Sequence, residues 1–531
     1  MHRIISASLA RCRGRCRLAL VLALAASLAI AVGLSQLLAG TQGLQVTRAW
    51  VGTVPVTLYR PSGLVSAPVV VIAHGFAGSQ TLMQPQAVTL ARNGYIAVTF
   101  DFAGHGRNAN PFVSSLMDRD KRLQVLLAGL EPAIALGMAE PGADGRLALV
   151  GHSMAGDVLA HHAQAHPGSV SAMVLLSPYL SEQVVTESLS NLLLIYGALE
   201  PGMLHEQGFK ILAEAGEGAA EEGVTQGAPA DGRARRLILA DGVEHIGVLY
   251  SREGLAETLA WLDQTFGRTG EGYLDQRGPW LGLLYLGLVV LAWPLSLLLP
   301  RLSTRPLGAG LCWRRLWPVA LAPAVLTPLI LWKLPSDFLP ILVGDYLALH
   351  FALYGAITAL GLWIMKSGVW SGSPKATRPA EPRAFGWRGF ILATLAATAY
   401  GTLAIGLTTD RFVTTLLPGP ERIGVVIAML IGTLVYFSAD EWATRGEGAA
   451  RGGHALTKLL FLLSLLLAVG LNLNELFFLI IIVPAILIFF LVYGLIGGWI
   501  YRRVGHPMVG AIANAVVFAI ATAVTFPLVG A

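Results

Sequence analysis

The chain has 531 residues, of which 54% are hydrophobic and only 13% are charged, with a mean hydropathy of +0.63. Soluble domains carry about 25% charged residues, so this composition excludes a purely soluble protein and equally a disordered one. The charge is also uneven. Residues 43–277 hold 15 basic and 23 acidic residues, a net charge of −8, whereas the remainder has a net charge of +13. The overall pI of 9.1 therefore averages two different regions, and we expect no nucleic-acid partner.

The first predicted element is a membrane helix over residues 18–40, a run of 23 residues without a charge. A helix needs about 20 mostly apolar residues to span a bilayer, whereas the apolar core of a cleaved signal peptide has about 7–15. We therefore predict a retained signal anchor, preceded by a cytoplasmic N-terminus at residues 1–17. The sequence alone leaves open whether this span is cleaved.

Residues 43–270 then alternate between short apolar runs and helical stretches. The clearest run, 67–73, holds three consecutive valines and an isoleucine, which is typical of a strand buried on both faces. Further strands are predicted at 54–60, 95–100, 147–150, 173–176, 192–196 and 237–239, with helices near 80–93, 115–138, 153–166, 203–222 and 246–266. The alternation predicts an α/β domain whose mostly parallel sheet is covered by helices on both faces.

Residues that can carry chemistry come directly after these strands, where open parallel sheets place their active sites. In chain order they are His74-Gly75-Phe76-Ala77-Gly78-Ser79, Asp101-Phe102-Ala103-Gly104-His105-Gly106, Gly151-His152-Ser153-Met154-Ala155-Gly156 and His245. With these motifs in this order, the segment resembles the α/β-hydrolase superfamily, in particular the serine-hydrolase branch that includes lipases, esterases and aminopeptidases. The resemblance does not reach the apolar region that follows.

Ser153 stands where a predicted strand meets a predicted helix, and a nucleophilic serine needs such a position. At a sharp strand-to-helix turn the hydroxyl projects into solvent, and the helix N-terminus and backbone N–H groups can hold an oxyanion. Gly151 and Gly156 flank the turn, while Ala155 replaces the final glycine of the usual G-x-S-x-G pattern with a side chain nearly as small. These features favour Ser153 as a nucleophile.

The resemblance implies roles for the two upstream motifs. The backbone N–H groups of Phe76 and Met154 would form the oxyanion hole, as in the HGF-type motif of the family. Asp101 and His105 would shape a structural turn and take no part in the chemistry. No metal or cofactor is implied.

The base and the acid follow later in the chain. The order of serine, acid and histidine in this fold favours His245 as the base, with His205 as its rival. Glu200 occupies the place where the family usually has an aspartate, after the strand before the last one, so it is the expected acid. Asp241 and Glu244 are rival orienters, but they share a loop with His245, and that geometry rarely lets a carboxylate face the far ring nitrogen.

The long apolar runs after the α/β domain predict an all-α polytopic membrane bundle over residues 279–530. Its eight predicted helices are 279–300, 316–332, 340–364, 389–409, 422–438, 456–472, 475–500 and 507–530. The second of them is short and contains three prolines, which disfavour a helix interior. Asp345 and His350 lie inside a predicted span, where ionisable groups are costly and often functional. Asp440 and Glu441 fall just past the end of a predicted span and need no special role.

The distribution of Lys and Arg over the short loops predicts the orientation. Nineteen of these residues fall on the side of the N-terminus, and only Lys333, Arg411 and Arg422 fall on the opposite side. Because positive residues favour the cytoplasm, the N-terminus is predicted to be cytoplasmic, and the α/β domain and the C-terminus extracytoplasmic.

Together these features predict a multi-pass protein of the cell membrane that hydrolyses an ester or other acyl bond with Ser153, His245 and Glu200. The expected partners are the lipid bilayer and a small-molecule or lipid-like ester; the oligomeric state is left open. A peptidase of the same fold is the first alternative. A transporter or sensor with a non-catalytic outer domain is the second.

Overall fold

The computed structural model describes residues 2–113, 118–215, 220–366 and 386–530. Helix α1 (His2–Ala39) leads into an α/β domain, and a bundle of apolar helices follows that domain. Three of the loop cations that predict the orientation, Lys375, Arg378 and Arg383, lie outside the described residues.

One eight-stranded sheet organises the α/β domain. Its strands are β1 (Leu44–Val51), β2 (Val54–Pro61), β3 (Ala67–Ala73), β4 (Ile96–Phe100), β5 (Ala143–His152), β6 (Ala172–Leu176), β7 (Leu192–Gly197) and β8 (Arg235–Ala240). They lie in the order β1-β2-β4-β3-β5-β6-β7-β8. The pairs β1–β2 and β2–β4 are antiparallel, and the other five pairs are parallel.

Helices cover both faces of this sheet, as the apolar strands predict. They are α2 (Gln84–Arg92), α3 (Arg119–Met138), α4 (Met154–Ala165), α5 (Gly202–Ala215) and α6 (Arg252–Phe266). Every residue of β3 is buried: Val69 and Val71 belong to one hydrophobic core, and Val70 and Ile72 to the other. Successive side chains of a strand point to opposite faces, so a continuous apolar run is what a central strand needs. The fold class is therefore α/β, with the arrangement of an α/β-hydrolase.

Strand β1 is not predicted from the sequence. This edge strand pairs only with β2 among the described strands, and all of its side chains are exposed or half-buried. It therefore lacks the apolar run that identifies the central strands, and its place is set by the hairpin to β2.

The helix bundle forms the second half of the molecule. Its helices are α7 (Gly278–Ser296), α8 (Trp313–Leu331), α9 (Gly344–Lys366), α10 (Trp387–Ala399), α11 (Gly406–Phe412), α12 (Ile423–Thr444), α13 (Gly453–Leu471), α14 (Leu473–Leu476), α15 (Leu479–Val504) and α16 (Pro507–Thr525). A π-helical stretch, Tyr400–Ile405, joins α10 and α11 into one long helix. Counting that helix once, nine helices in the described part of the chain, α1 included, are long and apolar enough to cross a membrane.

Helix α8 is continuous through Pro318, Pro323 and Pro328, although three prolines disfavour a soluble helix. Apolar helices that pack against one another tolerate proline, because neighbouring groups take up the freed backbone atoms. Elsewhere glycines allow close helix contacts. A Cβ added at Gly355 of α9 would lie 2.5 Å from the backbone nitrogen of Tyr436 on α12.

Two acidic residues near the end of α12 are paired with basic residues of the bundle. Lys458 of α13 forms an ion pair with Asp440 of α12, and the Arg445 Nε lies 2.8 Å from the Glu441 carboxylate. The sequence predicts both acids just past the end of a span, and it predicts Lys458 near the start of the next one. In the structure α12 continues past both acids, and α13 begins five residues before the lysine, so all three side chains are buried between helices.

Candidate active site

Ser153 lies on the turn between β5 and α4, with φ +53° and ψ −116°. A non-glycine residue rarely adopts such a conformation, which costs on the order of 1–3 kcal/mol. The turn is held because the Ser153 amide donates to the Leu176 carbonyl at 2.9 Å. The residues two positions before and two positions after Ser153 must be small. A Cβ at Gly151 would lie 2.6 Å from Leu159, and Ala155 is fully buried. The side chain of Ser153 is thereby presented at the carboxyl edge of the sheet.

His245 connects the serine to a carboxylate. Its Nε2 lies 3.0 Å from the Ser153 Oγ, and its Nδ1 lies 3.1 Å from the Glu200 Oε2. Because an ionised carboxylate can only accept, the Nδ1 carries the proton, and Nε2 is left to accept from the serine hydroxyl. The three side chains form one directed hydrogen-bond chain.

Glu200 is set in the protein interior just after β7. Its side chain is fully buried, and the Gly197 amide donates to its Oε1 at 2.8 Å. The Ser177 hydroxyl donates to the same oxygen. Burial alone would raise the pKa of this carboxyl, but hydrogen bonds from His245, Ser177 and Gly197 lower the pKa below its ordinary value. The carboxylate therefore stays ionised and can stabilise a proton on the neighbouring imidazole.

The shape of the last loop depends on Gly197. A Cβ at this position would lie 2.4 Å from the carbonyl oxygen of Val243. Only glycine lets the end of β7 approach that loop so closely, and His245 follows two residues after Val243. The close approach brings the imidazole within reach of both Glu200 and Ser153.

The rival residues bond elsewhere. The His205 Nε2 lies 2.9 Å from the Gly197 carbonyl. The Glu244 carboxylate accepts from two amides of its own loop, those of Ile246 and Gly247, each at 2.8 Å. Asp241 is exposed on the same loop. Of the weighed candidates, the structure brings His245 and Glu200 to Ser153.

Two backbone amides at this edge have no hydrogen-bond acceptor among the described residues, those of Phe76 and Met154. Met154 is the first residue of α4, so its amide belongs to the unpaired N-terminus of that helix. Phe76 comes close because of Gly75, where a Cβ would lie 3.0 Å from the Ser153 Cβ and 2.8 Å from the His152 Nδ1. Both amides thus meet one requirement of the predicted oxyanion hole, that they are not paired within the described part of the chain.

His152, which precedes the serine, contacts the backbone of the loop that carries His245. Its Nε2 lies 2.9 Å from the His245 carbonyl oxygen. Burial, together with the nearby His245, lowers the pKa of His152 to about 3. The ring is therefore neutral, and it holds the backbone of the last loop.

The second motif ties two loops together. The Asp101 carboxylate accepts from the backbone N–H of Gln80 at 2.7 Å and from the backbone N–H of Arg107 at 3.1 Å. A Cβ at Gly106 would lie 2.4 Å from this carboxylate. The His105 Nδ1 lies 2.8 Å from the Ala103 carbonyl oxygen. These bonds stay within the two loops, so the structure gives Asp101 and His105 positions that fit a structural turn.

Two groups in the described part of the chain bring three metal-ligating side chains within 4.8 Å of one another. The first, Glu131, His162 and His166, lies on α3 and at the end of α4. In the second, Asp440 with Glu441 and His454, the Lys458 ammonium already occupies the place of a cation against Asp440. Neither group includes a residue of the serine site.

Comparison with known proteins agrees with the architecture. Residues 66–208 match the family model described as serine aminopeptidase, S33. This match includes Ser153 and Glu200 and ends before His245. No curated protein sequence matches the chain. The α/β domain therefore has the α/β-hydrolase fold, and a helical region follows it.

Among solved structures, the chain is similar to a predicted CIB-like hydrolase from Thermoplasma acidophilum, with 17% identity over 41% of this chain and 97% of that one, at a TM-score of 0.31. It is also similar to a bacterial membrane phospholipase A, with 16% identity over 48% of this chain and 99% of that one, at a TM-score of 0.32. Both similarities are confined to less than half of the chain.

Proposed function

We propose that this protein is a membrane-anchored serine hydrolase that cleaves an ester bond with Ser153, His245 and Glu200. The observation that carries the proposal is the unbroken chain of contacts from the Ser153 Oγ through the imidazole to a buried, ionised carboxylate. An α/β-hydrolase fold alone would not support a reaction, because folds host many functions and only the site carries the chemistry.

In the proposed reaction the Ser153 hydroxyl gives its proton to the His245 Nε2 while its oxygen attacks the ester carbonyl carbon. The carbonyl oxygen becomes an oxyanion, which the amides of Phe76 and Met154 stabilise. His245 then returns the proton to the leaving alcohol, and an acyl-serine remains. Water, activated by the same imidazole, releases the carboxylic acid and restores the serine. Glu200 holds the ring orientation and offsets the charge of the imidazolium.

We further propose that the reaction takes place on the extracytoplasmic side of the membrane. The asymmetry of Lys and Arg between the short loops supports this orientation. A bond between the two halves is consistent with it, because the Phe112 amide donates to the Leu528 carbonyl at 2.7 Å. This contact supports the proposal that the hydrolase domain and the segment after α16 lie on the same side of the membrane.

A peptidase is the second candidate, and the description of the matching family model favours it. Attack on an amide uses the same three side chains, so their geometry does not separate the two reactions. An aminopeptidase must also hold the free amino group of its substrate, and a carboxylate is the usual partner for such a group. Glu200 cannot serve, because its side chain is buried against His245.

The proposal is tested on the purified full-length protein in detergent micelles. A fluorophosphonate probe should label the wild type, and Ser153→Ala should abolish labelling and lower ester hydrolysis by roughly 10³-fold or more. Ser188→Ala is the matched control, because this exposed hydroxyl bonds only the Val185 carbonyl. Retention of activity in Ser153→Ala would exclude the mechanism and favour a non-catalytic outer domain. Parallel assays with an aminoacyl anilide separate esterase from peptidase.

A further inference from the structure

The carboxyl edge of the sheet, where Ser153 lies, faces the helix bundle. The loop after β3 is held there through Ser79, whose Oγ lies 3.1 Å from the Thr414 Oγ1 and accepts from the Thr415 amide at 3.0 Å. The loop after β4 is held through Arg107, which forms an ion pair with Asp410 at 2.6 Å. Thr414, Thr415 and Asp410 lie at and just beyond the end of α11.

A buried arginine closes the same edge. Arg422, at the start of α12, is fully buried and donates to the carbonyl oxygens of Ala523 and Phe526 in the bundle. Its other terminal nitrogen donates to the Gly104 carbonyl of the hydrolase domain at 2.6 Å. The Leu528 amide donates to the same carbonyl at 2.9 Å. The loop after β4 is thus fixed to the bundle from two directions.

One side chain of the bundle reaches the loop that carries the candidate oxyanion hole. The rings of Phe76 and Phe478 are 4.1 Å apart between centroids. Phe478 belongs to the segment 472–478 that connects α13 to α15, and its neighbour Phe477 is half exposed. Helix α15, which is apolar and long enough to cross a membrane, begins at the next residue, Leu479. Phe478 therefore stands at the end of a membrane-length helix, where the polar surface of a bilayer would meet its hydrocarbon core.

Large apolar side chains are also exposed on the hydrolase side of this edge. Tyr179 follows β6, and Leu199 and Met203 flank Glu200 after β7; their exposed fractions are 62%, 66% and 71%. Residues that follow parallel strands gather at the edge where Ser153 lies. Soluble proteins seldom expose clustered apolar residues without a ligand or a membrane to cover them.

We propose an acyl-chain binding site formed jointly by the Phe76 loop and the segment 472–478, whose ligand is the acyl chain of a bilayer lipid ester. The inference rests on the serine-hydrolase function proposed above. The acyl esters of membrane lipids lie just outside the hydrocarbon core, which is the depth of Phe478. The lipid moves sideways from the bilayer, its chain packs against Phe478, and its carbonyl reaches Ser153. Hydrolysis adds one water, releasing a fatty acid and the alcohol part of the lipid.

The test compares two esters with the same leaving group. The full-length protein is reconstituted in phosphatidylcholine vesicles and assayed with 4-methylumbelliferyl oleate in the bilayer and 4-methylumbelliferyl acetate in the buffer. In Phe478→Ala the ratio of kcat/KM for oleate over acetate should fall tenfold or more, and Phe478→Leu should restore most of it. Leu334→Ala, which removes an exposed apolar side chain from the loop between α8 and α9, should leave the ratio at the wild-type value.

The outcomes separate the two proposals. If Phe478→Ala lowers both esters equally, Phe478 only supports the oxyanion loop, and the acyl-chain site is wrong. If Phe478→Ala hydrolyses both esters at the wild-type rate, the acyl-chain site is wrong as well, while the hydrolase function stands. If the wild type hydrolyses neither ester and does not react with the fluorophosphonate probe, the hydrolase function itself fails.

Discussion

The hydrolase domain and the helix bundle each place a histidine beside buried carboxylates, yet the two arrangements differ in what surrounds them. In the hydrolase domain, Glu200 binds one nitrogen of His245, and the other nitrogen faces the hydroxyl of Ser153. In the bundle, the Nδ1 of His454 lies 3.8 Å from Asp440 and 3.7 Å from Glu441.

The other contacts of each histidine decide the difference. Lys458 and Arg445 neutralise the two carboxylates beside His454. The second nitrogen of that ring faces Gly494 of α15, where an added Cβ would lie 3.4 Å away. In the described part of the chain this nitrogen has no hydrogen-bond partner. A histidine beside a carboxylate is therefore a reactive arrangement only where its other nitrogen meets a group that can react. In a closed ion-pair cluster between apolar helices each buried charge depends on its partner, because removal of one leaves the other uncompensated.

The largest expected effect concerns membrane topology, because the serine site and the ion-pair cluster are predicted to lie on opposite sides of the membrane. A reporter that is active only outside the cytoplasm should be active when it is fused after Gly270. The same reporter inserted within residues 371–385 should be silent, because 19 of the 22 loop cations lie on that side. Enzyme assays on intact cells measure both. The reverse pattern would contradict the orientation, and a cytoplasm-specific reporter at the same two sites is the control.

The second prediction tests the serine site, where the second nitrogen of the histidine meets a hydroxyl. Glu200→Gln removes the charge that stabilises the imidazolium and the acceptor that fixes its tautomer, so kcat should fall by about 10²–10⁴-fold. The serine should still react slowly with a phosphonate probe. Glu244→Gln is the control and should stay near wild type, because that carboxylate bonds only its own loop. Full activity in Glu200→Gln, with loss in Glu244→Gln or Asp241→Asn, would move the acid onto the last loop.

The third prediction tests the ion-pair cluster around His454. Lys458→Met leaves Asp440 buried without its partner, and the free energy of unfolding in detergent should fall by about 3–5 kcal/mol. Replacing both partners, Lys458→Met with Asp440→Leu, should recover most of the loss. Probe labelling of Ser153 should persist in the folded fraction. If Lys458→Met kept its stability and lost all hydrolysis, the ion-pair cluster would take part in the reaction and would not be purely structural.

The smallest effect is expected where the two regions meet. Arg422→Met removes three hydrogen bonds from a buried guanidinium, and contacts of this charged kind contribute about 1.5–3 kcal/mol. The thermal midpoint should fall, and the loop after β4 should become accessible to protease. Arg411→Met, which changes an exposed arginine on the same side of the bundle, should alter neither measurement.

The sequence was informative where chemistry lies next to a strand end. Ser153, Glu200 and His245 each follow an apolar strand, and a parallel sheet collects such positions at one edge whatever the loops do. Seven of the eight strands carried the same kind of local signal. The rule says where residues gather, and the family resemblance supplied the expected role of each.

Contacts between distant segments had no such signal. Arg422 was counted only as a loop charge, although it joins the hydrolase domain to the bundle. The pairing of Lys458 with Asp440 depends on how α12 and α13 pack, which apolar periodicity does not encode. Ser177, a donor to Glu200, adopts a positive φ of 50° that its residue type does not indicate. These features follow from tertiary packing and become visible only in the assembled molecule.

The bond between Arg422 and Gly104 spans 318 residues. A ribosome that adds about 5–20 residues each second needs roughly 15–60 s to cover that distance. The α/β domain is therefore synthesised well before the helices that contact the edge carrying Ser153, and that edge can be covered only after those helices have been made.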